Sequence, residues 1–133
     1  MENGKIKIWY AFPSPVYHEV CLVREGLVPT HRLWGMVELC RLGCDVELCR
    51  RLPKAFTPCG SLVWRVWQTL SILQNASKDD CIVAVHEVSA LFLLLARRLR
   101  VAKSSIIVLN LALLHPKNCI GVRSVLWRFL LKG

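Results

Sequence analysis

The chain has 133 residues, 54% hydrophobic and 20% charged, with a formal net charge of +9. That length fits one domain able to bury about two-thirds of its unfolded surface, and this much hydrophobicity excludes a disordered tail. The mean hydropathy of +0.41 is high for a domain in water. Even so, the most apolar stretch, 81–96, is interrupted by His86 and Glu87, and its remainder falls short of the roughly 20 residues a spanning helix needs.

Residues 6–12 form a short run of Ile, Trp, Tyr and Phe that ends at Pro13-Ser14-Pro15, the pattern of a strand entering a loop. Residues 13–29 mix polar and apolar side chains and read as a long connection. Thr30 is a plausible N-cap. Leu33, Trp34, Val37 and Cys40 then recur at helical spacing, and Gly43 stands where a glycine would stop that helix. Residues 46–49 are a second strand, and Pro53, Pro58 and Gly60 mark a loop.

Ser61 opens a helix to about Gln74, with Leu62, Val66, Leu70 and Leu73 on one face. Residues 81–85 are a continuous apolar run, as in a sheet covered on both sides. A helix over 87–100 is apolar until Ala96 and then abruptly basic. Residues 105–109 form a fourth strand, 110–118 a loop, and 121–132 an amphipathic basic helix with Val122, Val125, Leu126, Phe129 and Leu130 sharing a face.

Strand and helix alternate four times, so the fold class is α/β: a Rossmann-like parallel sheet with helices on both faces. The chain stops directly after a helix, which is expected of a truncated domain. Residues 1–5 run into a strand without a signal-peptide pattern, giving the expectation of a cytoplasmic protein.

The seven cysteines are odd in number and include no Cys-x-x-Cys pair. Reduced thiols are therefore expected, with no metal site. Phosphate-binding glycine motifs and a Gly-x-Ser-x-Gly elbow are absent. Parallel sheets bind ligands at the carboxyl ends of their strands. That rule selects the 13–29 and 50–60 loops, His86 with Glu87, and Asn110 through His115. His86 beside Glu87 offers a base for a substrate hydroxyl; the more ordinary reading is a helix start in which Glu87 caps and His86 packs. Asn110 can bond a polyol or its own loop. His18 has no evident partner, and His31 reads as a surface residue.

Residues 31–46 run His-Arg-Leu-Trp-Gly-Met-Val-Glu-Leu-Cys-Arg-Leu-Gly-Cys-Asp-Val, and they resemble the first helix and second strand of GT-B glycosyltransferases of the large retaining class. In that family a Leu-Gly-His-Glu-Val-like turn joins the two, and Cys44 and Asp45 take the His-Glu positions. Residues 80–86, Asp-Cys-Ile-Val-Ala-Val-His, followed by Ala96-Arg97-Arg98-Leu99, resemble the family's aspartate, apolar strand, histidine and Ala-Arg-Arg-Leu helix. Residues 105–110 are similar to the next strand, with Asn110 where many members carry histidine.

The resemblance spans nearly all of 1–133 and implies an N-terminal, acceptor-side domain. It implies His86, Glu87 and Asn110 as acceptor-binding residues, with catalytic residues unassigned. The sugar acceptor would be one partner and a C-terminal, donor-binding glycosyltransferase domain, absent from this chain, the other. No cofactor belongs to this chain, and a nucleotide sugar is the donor once the second domain is supplied. The chain alone is expected to be inactive. The alternative reading is a basic module that binds an anionic membrane surface or, less favoured, nucleic acid. Such membrane contact would fall on the last helix and make the protein peripheral.

Overall fold

The computed structural model describes residues 6–53, 60–109, 125 and 128–130. Four parallel strands form one sheet: β1 (Lys7–Ala11), β2 (Asp45–Leu48), β3 (Cys81–Ala84) and β4 (Ser105–Val108), in the order β2-β1-β3-β4. Trp9 lies opposite Glu47 of β2 and Ile82 of β3, and Ile82 opposite Ile106 of β4. Beyond the strand ends, the Val85 and Leu109 amides continue the ladder to Ala11 and Ala84. The expected α/β fold with helices on both faces of a parallel sheet is therefore present.

Alternation along the strands divides the core. Trp9, Ala11, Ile82 and Ala84 face one way, against Trp64, Ile72, Ala90, Leu93 and Leu94. Those five belong to α3 (Gly60–Asn75) and α4 (Glu87–Arg98). Tyr10, Phe12, Val83 and Val85 face the other way, against Leu33, Met36, Val20 and Val23. Val20 and Val23 lie on α1 (Tyr17–Arg24), and Met36 opens α2 (Met36–Arg41). Because β2 leads across β1 to β3, the path reverses, and the switch point lies between the carboxyl ends of β1 and β3.

Three local expectations need correction. The supposed connection 13–29 contains α1, whose Val20 and Val23 pack on the sheet together with Val16 at its N-cap. The helix expected from Thr30 is broken. Thr30–Leu33 is a 3-10 turn, Trp34 and Gly35 take left-handed backbone, and α2 begins only at Met36. The Trp34 carbonyl accepts the Tyr10 hydroxyl at 3.1 Å, which ties this break to β1.

The third correction concerns α3. Its buried positions are Trp64, Gln68, Thr69, Ser71 and Ile72, whereas Leu62, Val66 and Leu70 point outward and are exposed. Polar side chains can occupy the buried face because backbone groups satisfy them. The Thr69 hydroxyl donates to the Arg65 carbonyl at 2.9 Å, and the Ser71 hydroxyl accepts the Arg50 amide at 3.2 Å.

The helix ends share one device. In α1 and α2 the chain leaves through a Schellman turn, with Gly26 and Gly43 in left-handed backbone and amides returning to the carbonyls of the last turn. In α4 the same pair of bonds forms, Arg100 to Arg97 and Val101 to Ala96, with Arg100 holding φ of 60°. Of the expected last helix, Val125 and 128–130 are described. Leu130 is buried in the α3–α4 core, while Val125 and Phe129 are exposed.

Candidate functional site

The carboxyl ends of β1 and β2 open into a pocket of about 660 Å³. Each end feeds a different wall. After β1, Pro13, Ser14 and Pro15 turn the chain into α1, whose first residues Tyr17 and His18 line the cavity. After β2, Arg51 and Leu52 form a second wall, and Gly60, Ser61 and Trp64 bring in the first turn of α3. Both helices therefore direct the positive ends of their dipoles toward this region.

The aromatic walls are fixed by bonds to backbone. The Tyr17 hydroxyl donates to the Cys49 carbonyl, and the Trp64 indole donates to the Phe12 carbonyl at 3.3 Å. The two rings meet edge to face at 6.2 Å between centroids. The Arg51 guanidinium lies 4.9 Å above the Tyr17 ring, a cation–π contact that holds a positive charge at the pocket wall.

Burial, then the neighbouring Cys49, push the Tyr17 phenol far above its usual range, against the pull of Arg51. Burial also pushes the Cys49 thiol up, although hydrogen bonds with Tyr17 and Gln68 oppose it. Both groups are neutral at physiological pH, so Cys49 is not an activated nucleophile. No carboxylate is among the described residues that line the pocket, which leaves Arg51 as its permanent charge and His18 as a second basic group. Such a cavity can hold a polar or anionic ligand against an aromatic wall, and among the described residues no hydrogen bond pairs a lining serine with His18.

His86 and Glu87 sit elsewhere. His86 is the N-cap of α4, its Nδ1 facing the Val88 amide at a long 3.5 Å, with its carbonyl accepting the Ser89 and Ala90 amides. Glu87 is buried in the first turn of α4, a position that suits a carboxylate beside the helix dipole. Neither residue lines the described pocket. Both lie at the end of β3, one strand over, since Val85 bonds back to Ala11. Asn110 lies outside the described residues.

The strand-end rule selects both loops that build the pocket, but by itself it does not distinguish Tyr17, His18, Arg51 or Trp64 from their neighbours. The Val16, Val20, Val23 spacing before Gly26 was the available sign that His18 and Tyr17 begin a helix at a strand end.

Among the described residues no group of three or more His, Cys, Asp or Glu is placed to hold a metal ion. Nor is any described helix long and apolar enough to cross a membrane. In comparisons with known proteins, no family model, curated protein or solved structure matches this chain.

Proposed function

We propose that this chain is the acceptor-side half of a GT-B glycosyltransferase of the large retaining class. The pocket over β1 and β2, beside the switch point, would receive a polar acceptor. The observation that carries this reading is the pocket itself, open at the carboxyl ends of a parallel sheet, where such folds bind ligands. Its walls suit a sugar bearing an anionic group: aromatic rings for the apolar face of the sugar, Arg51 for the charge and the His18 imidazole for hydrogen bonding. The resemblance would add His86, at the end of the adjacent β3, to the acceptor surface, whereas Glu87 is buried in the first turn of α4 and Asn110 lies outside the described residues. The nucleotide-sugar donor belongs to a second domain, so this half binds acceptor and transfers nothing by itself. A cytoplasmic setting follows from the same reading, because nucleotide sugars are the donors.

The test is calorimetric titration of the chain with sugar phosphates and neutral oligosaccharides, followed by Arg51→Ala. Millimolar or tighter binding of a sugar phosphate, weakened about tenfold by the substitution, supports the proposal. Failure of every glycan to bind, or binding indifferent to Arg51, sinks the pocket assignment. Sugar transfer from a nucleotide sugar by the chain alone would remove the claim that it is inactive without its second domain.

A further inference from the structure

The outward face of the α3–α4 layer should be polar, and it is not. Leu62, Val66 and Leu70 follow one another at intervals of four residues along the exposed side of α3. Beside them, Leu95, Leu99 and Val101 line the exposed side of α4 and the turn after it, with Leu99 at 67% and Val101 at 62% exposure. Between the two helices runs a groove of about 200 Å³ lined mainly by apolar side chains, with Thr69 among them. Contiguous exposed apolar surface of this kind marks an interaction site.

The charge around the groove identifies its partner. Helix α3 carries no acidic residue, and the one acidic residue of α4, Glu87, is buried at the far end. Where α4 ends, Arg97, Arg98, Arg100 and Lys103 cluster at exposed positions next to Leu99 and Val101. The face thus combines apolar side chains with cations and lacks exposed carboxylates on its two helices. A second copy would bring two such cationic clusters together across a symmetric contact, within a chain of net charge +9. An anionic lipid surface instead accepts the leucines among its acyl chains and the cations at its headgroups.

We infer that the α3–α4 face docks on an anionic bilayer surface, with Leu62, Val66, Leu70, Leu95, Leu99 and Val101 entering the interface and the Arg97–Lys103 cluster meeting the headgroups. This inference is independent of the glycosyltransferase reading, and it moves the membrane contact from the last helix to α3 and α4. The pocket at the carboxyl ends of the strands would stay open to solvent beside the docked face.

Co-sedimentation of the full chain with vesicles tests it, using phosphatidylcholine alone and phosphatidylcholine mixed with phosphatidylglycerol. Binding is expected to the anionic vesicles and to fall steeply with added salt. Leu70→Ser and Leu99→Ser should each weaken it about fivefold to tenfold. Arg97→Gln and Arg100→Gln should each weaken it about fivefold. All four positions are exposed, so unchanged unfolding midpoints will show that the variants remain folded.

Binding that follows the cations but ignores both leucines would overturn insertion of this face. Loss of binding only on Val125→Ser or Phe129→Ser would assign the contact to the last helix instead. No vesicle binding, with reversible self-association in sedimentation that Leu70→Ser abolishes, would make a second copy the occupant and end the inference.

Discussion

The two ends of the sheet are built on opposite terms. At the amino end, the buried Asp80 carboxylate precedes β3 and accepts the Ser77 amide at 2.8 Å, the Trp9 indole at 3.2 Å and the Lys7 amide at 3.3 Å. Ser104, before β4, adds its hydroxyl to the Ser77 carbonyl at 2.7 Å. At the carboxyl end, the Arg51 cation and the Tyr17 and Trp64 rings flank a cavity, and no carboxylate is among the described residues lining it. One end satisfies its charge internally and ties β1, β3 and β4 together. Among the described residues, the other sets its Arg51 cation against an aromatic ring rather than a carboxylate, which suits an anionic ligand. Asp80 is thus a structural carboxylate, placed before a strand and away from the carboxyl ends where parallel sheets bind ligands.

The largest effect expected from breaking this contrast is at Asp80. Asp80→Ala removes one acceptor from three donors in partly or fully buried positions, and should cost about 3 kcal/mol in urea unfolding. Ligand binding by the remaining folded protein should be unchanged. Burial alone would raise the Asp80 pKa, but the hydrogen bonds from Ser77, Trp9 and Lys7 outweigh it and hold the carboxyl below 3.8. A depressed folded pKa gives stability that is fully present above the unfolded value and lost as pH falls through the folded one. Acid titration of stability should therefore show a component below about pH 4 that disappears in Asp80→Asn. A loss under 1 kcal/mol, or an unchanged acid limb, would refute the structural role.

Trp9→Phe sharpens the same point by deleting a single donor and keeping the ring. It should cost about 1 kcal/mol, measured in the same way. In combination with Asp80→Ala the two losses should be less than additive, since they share one bond. Full additivity would mean that the indole contributes only through packing.

Much of the fold was legible because the strands are short, all but β2 mainly apolar, and most are bounded by proline, glycine or acidic residues. Gly43 announced its helix end because the left-handed turn required there favours glycine. What escaped was context. Helix α1 has eight residues and carries His18, Glu19 and Arg24, too short and too charged for its two valines and the Val16 before them to stand out as a stripe. On α3, periodicity found the leucines but could not say which way they faced. Trp64 and Ile72 took the core, and backbone bonds to Thr69 and Ser71 made their polar side chains acceptable beneath the helix. The pocket was half legible for the same reason. The topological rule named its loops, while the pairing of Arg51 with Tyr17 depends on two segments meeting in space.

Arg100 offers a comparison within the amino end. Gly43 and Arg100 hold equivalent left-handed positions after α2 and α4, yet only one of them is the residue that backbone favours. Arg100→Gly should stabilise the protein by about 1 kcal/mol and Gly43→Ala should destabilise it by about the same amount, in thermal or urea unfolding. A Cβ at Gly43 would meet nothing within 4 Å, so any loss there is conformational rather than steric. If Arg100→Gly brings no gain, the arginine is compensating through contacts of its own.

The smallest stability effect expected is the one that divides the two ends most sharply. Arg51→Ala removes an exposed cation from the Tyr17 ring, a contact worth about 0.5–1 kcal/mol at most. Tyr17 keeps its bond to the Cys49 carbonyl and its edge contact with Trp64, so the wall of the pocket should survive. The unfolding midpoint should therefore hardly move, while affinity for an anionic ligand falls about tenfold. That is the mirror image of Asp80→Ala, which should lower stability and spare binding. A large stability loss at Arg51 with binding intact would make the arginine part of the scaffold, and the carboxyl end would then differ from the amino end only in the sign of its charge.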